Sequence, residues 1–146
     1  MPTDGEFFVD TNIIVYSATP GPHHEACFEI LEAIAAGEAK GRASPAVLEE
    51  VWHLELSGRA GDLNGLTRHA LTLFTPLLAV TDEAFHLAFG LLARSGLGAN
   101  DRLHVGTCLV YGIRTIVSAD AAFDGIPNIS RVDPLDVADR RRLLNN

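Results

Sequence analysis

Lysine is almost missing from this chain: one lysine and ten arginines face 19 acidic residues, for a net charge of −8. A broad basic surface for neutralising phosphates is therefore excluded, and taken alone this speaks against a nucleic-acid binder. The objection weakens only if several acids are committed to a metal, or if the partner is a basic protein. Cysteine is also scarce. Cys27 and Cys108 fit neither a zinc spacing nor a disulfide framework, so both are expected as free, buried thiols of a reducing cytoplasm. Long apolar runs are absent. The longest, Leu71 to Val80, is interrupted by Thr72, Thr75 and Pro76 and is too short to span a bilayer. Met1-Pro2-Thr3-Asp4-Gly5-Glu6 carries acids where an export signal carries basic residues, which again points to the cytoplasm and away from membranes. No repeat, low-complexity tract or linker interrupts the sequence, and one domain is expected over residues 1–146.

What is present is an ordinary globular composition, with 47% hydrophobic and 21% charged residues, enough to exclude disorder. Phe7-Phe8-Val9 reads as a buried strand running into a helix start at Asp10-Thr11-Asn12. Ala26, Cys27, Ile30, Leu31 and Ile34 keep helical spacing between His23 and Ala36, and Gly37 closes the segment. Arg42-Ala43-Ser44 is a candidate strand. Ser44-Pro45 then offers a cap and a first-turn proline for a helix that ends at Gly58. Further helices are expected over Asp62–Phe74, from Thr81 to about Ser95, and from Asn100 to Tyr111. Leu77–Val80, Thr115–Ser118 and Asn128–Val132 complete the candidate strands, and Arg140-Arg141-Arg142 makes a basic end. Strands alternating with helices predict a parallel sheet of about five strands inside a three-layer α/β/α sandwich. Sites in such sheets form beyond the carboxyl ends of the strands, where Asp10 and Asp120 both stand.

A charge just past an apolar strand is unfavourable unless something compensates it. Asp10 and Asp120 could each serve as a helix or turn cap, and Asp101 at a helix start is the most cap-like acid of the set. Glu49 and Glu50 compete on one helix. Neighbouring residues there point about 100° apart, so only one of them can face a given point. Gathered together, such carboxylates repel and raise one another's pKa. A hard divalent cation resolves that repulsion, and Mg²⁺ or Mn²⁺ suits all-oxygen ligands. No cysteine or Ser–His arrangement competes as a nucleophile. Metal-assisted phosphodiester hydrolysis is the reaction such a site fits best.

Five short segments follow one another along the chain: Phe8-Val9-Asp10-Thr11-Asn12, His24-x-Ala26, Ser44-Pro45-x-Val47-Leu48-x-Glu50, Asp101-x-Leu103-His104 and Val117-Ser118-x-Asp120-x-x-Phe123. In this order they resemble the PIN-domain ribonucleases, particularly the VapC-type toxins of toxin–antitoxin pairs. Val132-Asp133-Pro134 also looks like the family's last strand. The resemblance implies metal-ligating or metal-orienting roles for Asp10, Glu50, Asp101 and Asp120, and it selects Glu50 over Glu49. It implies supporting roles for Asn12 and Ser118, with Asp124 either a further acid or a plain turn residue. It also implies an RNA substrate, a Mg²⁺ or Mn²⁺ cofactor, an antitoxin partner and a homodimer. Val105-Gly106-Thr107-Cys108 departs slightly from the small residues that follow the family's third acid, which bears on packing. Arg59, Arg68, Arg102 and Arg140–Arg142 are the candidates for holding RNA phosphate.

Three rival readings remain. Glu50-Val51-Trp52-His53 and Glu83-Ala84-Phe85-His86 share the Glu-x-x-His spacing of di-iron bundles, which need four long helices and no strands. His53, His86 and His104 read instead as helix-surface or core-edge residues. Aspartyl-nucleophile phosphotransfer folds carry an acid two residues after the first, where Asn12 stands here. A PIN-like module that binds without cutting would keep the fold alone.

Overall fold

Two adjacent phenylalanines organise the molecule. In the computed structural model, which describes residues 5–91 and 96–145, Phe7 and Phe8 lie on strand β1 (Glu6–Val9) with no exposed surface. Neighbouring side chains on a strand point to opposite faces, so both faces of the sheet are covered. Helix α2 (His24–Ala35) covers one of them. A Cβ on Gly41 would stand 2.3 Å from the Ile34 side chain of α2 and 3.2 Å from Phe7, so the helix packs closely on the strand at this glycine. Helix α6 (Ala99–Tyr111) covers the other, where the ring of His104 lies 5.3 Å from that of Phe8. The expected sandwich is thus present.

Strands β2 (Lys40–Arg42), β3 (Thr115–Val117) and β4 (Ser130–Val132) pair in parallel in the order β2-β1-β3-β4. This sheet has four strands rather than about five. Leu77–Val80 forms no ladder: Pro76 has no N–H to give, Leu78 N–H donates to Ala43 O at 2.9 Å, and Ala79 N–H goes to the Tyr111 hydroxyl.

Local signals account for most helix ends. Asp10 caps α1 (Thr11–Ser17), and Thr81 caps α5 (Asp82–Phe89) by accepting from Ala84 N–H. Ser95, the expected end of that helix, lies outside the described residues. Helix α3 (Pro45–Ser57) carries proline in its first turn and stops at Gly58, whose φ of 69° is left-handed. Ser44 occupies its cap position without capping, and its hydroxyl is buried with no hydrogen-bond partner among the described residues. Helix α4 (Leu66–Phe74) begins four residues later than Asp62, because Asp62 accepts from Asn64 N–H in a turn that ends at Gly65, φ 83°. The basic end is a further helix, α7 (Val137–Leu144), capped by Asp136.

Helices α5 and α6 cross at Gly106. A Cβ there would sit 2.2 Å from the carbonyl oxygen of Ala84 and 3.2 Å from the nitrogen of Ala88, both backbone atoms that cannot turn aside. Replacing Gly106 with alanine should lower stability by about 1–3 kcal/mol despite its better helix propensity, as overpacking against fixed atoms does. Urea unfolding measures this directly, and an unchanged or raised midpoint would contradict the close approach.

Candidate active site

Chain ends at the carboxyl edge of the sheet bring the acids together. β1 and β3 are neighbours, so Asp10 and the segment Ser118–Asp120 leave the sheet side by side, with Asp10 N–H donating to Val117 O at 3.1 Å. α3 delivers Glu50 and the first turn of α6 delivers Asp101. Asp10, Glu50, Asp101 and Asp120 line one pocket of about 370 Å³, together with Thr11, Asn12 and Tyr16. Glu49, one residue away, is exposed and lines the adjoining grooves instead.

Asp10 is 5% exposed. Its Oδ1 accepts Thr11 N–H at 2.8 Å, while its Oδ2 accepts the Ser118 hydroxyl at 2.7 Å and the Asn12 amide at 3.3 Å. Asn12 in turn accepts Ala119 N–H at 3.2 Å, and Ser118 Oγ accepts Asp120 N–H at 3.0 Å. Asn12 and Ser118 therefore stitch the two strand ends together and aim Asp10 and Asp120. Asp120 also accepts Ala122 N–H, so it caps the short 3₁₀ turn Ala121–Phe123 while facing the pocket. Asp101 sits in the first turn of α6, whose cap position is held by Gly98 and not by an acid.

The carboxylates are sorted by environment. Burial pushes Asp10 above its ordinary pKa, against the donors at Ser118 and Thr11. Asp101 is raised to about 6, by burial first and then by the charges of Asp10, Glu50 and Asp120. For Glu50 burial also works upward, but hydrogen bonds from His104, Thr11 and Asn100 prevail and hold it below the usual range. Acids driven apart in this way are a frequent mark of acid–base or metal chemistry.

His104 corrects the sequence reading. It is neither on the surface nor at the core edge: it is fully buried, with Nε2 2.9 Å from Glu50 Oε1 and 3.8 Å from Asp10 Oδ1. Its signal was the i, i+3 spacing from Asp101, which puts both residues on one helix face. Ligand atoms of Asp10, Asp101 and His104 lie within 4.8 Å of one another. Asp124 stands apart. It is exposed and pairs with Arg131 at 2.8 Å, and Arg131 Nη1 donates to Ser118 O at 2.9 Å, so Asp124 reaches the site only through that arginine.

Several candidate phosphate-binding arginines have other partners. Arg102 donates to Leu91 O and Leu97 O, Arg140 pairs with Glu29 and donates to Pro134 O, and Arg142 pairs with Asp139. Arg68 lines the groove between α3 and α4. His53, Glu83 and His86 are exposed, and β1 to β4 are strands, so the di-iron bundle fails on both counts.

A family model of the PIN domain matches residues 7–129. No curated protein matches the sequence. Among solved structures the chain is similar to VapBC2 from Rickettsia felis bound to a DNA fragment from their promoter. The TM-score is 0.66 at 20% identity, covering 87% of this chain and 97% of that one. It is also similar to a toxin–antitoxin complex from Klebsiella pneumoniae, with TM-score 0.64 and 20% identity over 87% and 96% of the two chains. FitAcB from Neisseria gonorrhoeae gives TM-score 0.63 and 15% identity over 90% and 99%. At these identities the likeness is one of fold.

Proposed function

The chain belongs to the PIN domain family, and from that premise we propose that it is a metal-dependent endoribonuclease, the toxin of a type II toxin–antitoxin pair. The observation that carries this reading is the single pocket lined by Asp10, Glu50, Asp101 and Asp120, in which burial first, and then the charge of the neighbouring acids, raises Asp101 to about 6. Such a set has more negative charge than it can stably keep, and its donors are the hard oxygens that Mg²⁺ and Mn²⁺ take. Asp10 and Asp101, whose ligand atoms lie close together, would hold the cation, with Asp120 beside them. When bound, it supplies Lewis acidity that activates water and neutralises charge building on the phosphodiester.

The chain's own residues do the remainder. Asn12 and Ser118 fix the pose of Asp10, and Asp120 borders the pocket from the β3 side. Glu50, held ionised, takes a proton from water or orients it. Asp124 acts at a distance by steadying Arg131 against Ser118 O. The acidic pocket also eases the charge objection, since part of the net −8 would be offset by a cation. Trp52, Leu56 and Leu71 on α3 and α4, with Phe85 and Phe89 on α5, leave large apolar side chains exposed. These surfaces suit a second copy of the chain and an antitoxin, all in the cytoplasm. No helix among the described residues is long and apolar enough to cross a membrane.

The test is incubation of purified protein with a panel of structured and unstructured RNAs, with EDTA or with added Mn²⁺. Cleavage that requires Mn²⁺ or Mg²⁺ is expected. Intact RNA throughout, from a protein shown to be folded, would replace the nuclease with a PIN-like module that binds without cutting.

A further inference from the structure

Fully buried among three acids, His104 has a role that Asp10 and Asp101 do not share. We propose that it is a positioning residue: an Nε2–H donor that clamps the carboxylate of Glu50, and not a ligand to the cation. The assignment rests on where its two nitrogens lie. Nε2 stands 2.9 Å from Glu50 Oε1, a separation that requires a proton between them. Asp10 Oδ1, at 3.8 Å, is too far to share it. Nδ1 is buried and has no hydrogen-bond partner among the described residues.

Moving the proton to Nδ1, as ligation through Nε2 demands, would create two faults at once. A buried N–H would face no acceptor, and two lone pairs would meet at the Glu50 contact. The ring therefore carries its proton on Nε2 and leaves a lone pair at Nδ1. Thr11 Oγ1 reaches the same oxygen, Glu50 Oε1, at 2.8 Å. Glu50 is a long side chain with several rotors on the pocket wall, and two donors on one oxygen fix it where a bare carboxylate would swing. The three-residue spacing from Asp101 to His104 then has a physical meaning. One face of α6 supplies a carboxylate for the cation and, a turn later, the clamp for the carboxylate opposite.

Only the kinetic arm of the test rests on the nuclease reading. His104→Gln keeps a donor near the Nε2 position, and His104→Leu removes it while filling the space. Both should remain folded by circular dichroism and thermal melting. His104→Gln should keep kcat within about threefold, and His104→Leu should lose roughly 10–100-fold in kcat with little change in KM for RNA, as loss of a supporting hydrogen bond does. Independently of activity, ¹⁵N NMR of the histidine rings should show His104 protonated on Nε2 and bare at Nδ1, both before and after Mg²⁺ is added. Mn²⁺ affinity should fall far less in His104→Leu than in Asp101→Asn. Nε2 losing its proton as Mg²⁺ binds would make His104 a ligand and overturn the proposal. Equal losses in the glutamine and leucine variants, or a leucine variant with wild-type kcat, would overturn it as well. If wild type cuts no RNA, the proposed function falls, and the NMR arm still decides the role of His104.

Discussion

Asp10→Asn should reduce metal-dependent RNA cleavage by at least about a hundredfold while leaving the protein folded. Asparagine is as good a helix cap as aspartate, and its Oδ1 still accepts Thr11 N–H, so α1 keeps its start. The change removes one buried charge from a carboxyl that burial has already raised, but its Nδ2 then meets the Ser118 hydroxyl and the Asn12 amide, both donors in the wild type, so the two effects on the metal-free protein oppose each other. On the proposed function, what it takes from the loaded protein is an anionic ligand at the point where β1, β3 and α6 converge. Glu49→Gln is the matching control. Glu49 is exposed one residue from Glu50, and its charge faces the grooves outside the pocket. Its cleavage rate should stay within about twofold of wild type, in keeping with surface substitutions generally. Initial rates on one labelled RNA, with melting curves for all three proteins, make the comparison. Equal activity in Asp10→Asn and wild type would remove the catalytic assignment.

The layers and the acids were legible in the sequence for different reasons. Phe7-Phe8-Val9 could be read because a strand covered on both faces has no polar side to confuse with a helix, and Asp10 follows it without a gap. Gly58 and Gly112 closed α3 and α6 as expected, each with φ of 69°. The fifth strand was misread because Leu77–Val80 has the right composition but not the partners. Its first amides are used singly by Ala43 O and the Tyr111 hydroxyl, a tertiary fact with no local signature. Helix α7 was hidden for the opposite reason: a charged, weakly apolar stretch is helical because Asp136 caps it and Leu143 is buried. Histidine 104 illustrates the same gap at the site. Its type and spacing were visible, but whether a histidine three residues after an acid faces water or Glu50 depends on the position of α3, more than fifty residues away.

Asp101 carries the clearest consequence for stability. Its carboxyl is raised from 3.8 to about 6 in the folded protein, by burial and then by the neighbouring acids. Between those two values the folded state binds more protons than the unfolded one, so this group makes stability fall as pH rises from about 4 to 6, after which the loss is constant. Glu50, held below its ordinary value, works in the opposite sense: its contribution is present above the unfolded pKa and is lost on acidification. The two are separated by taking a difference. In metal-free buffer, Asp101→Asn should be more stable than wild type at pH 7 by about 1–2 kcal/mol, a figure reduced for the solvent that still reaches the half-buried side chain. That advantage should shrink steadily below pH 6 and vanish near pH 4. Saturating Mg²⁺ or Mn²⁺ should reverse the ranking at pH 7, because wild type gains binding free energy that the variant largely forgoes. Urea unfolding of both proteins, at several pH values with EDTA or cation, gives the four curves required. A variant that is less stable than wild type at pH 7 in EDTA would mean that Asp101 is not under charge strain. A ranking that no divalent cation alters would mean that the strain does not exist to be relieved by one.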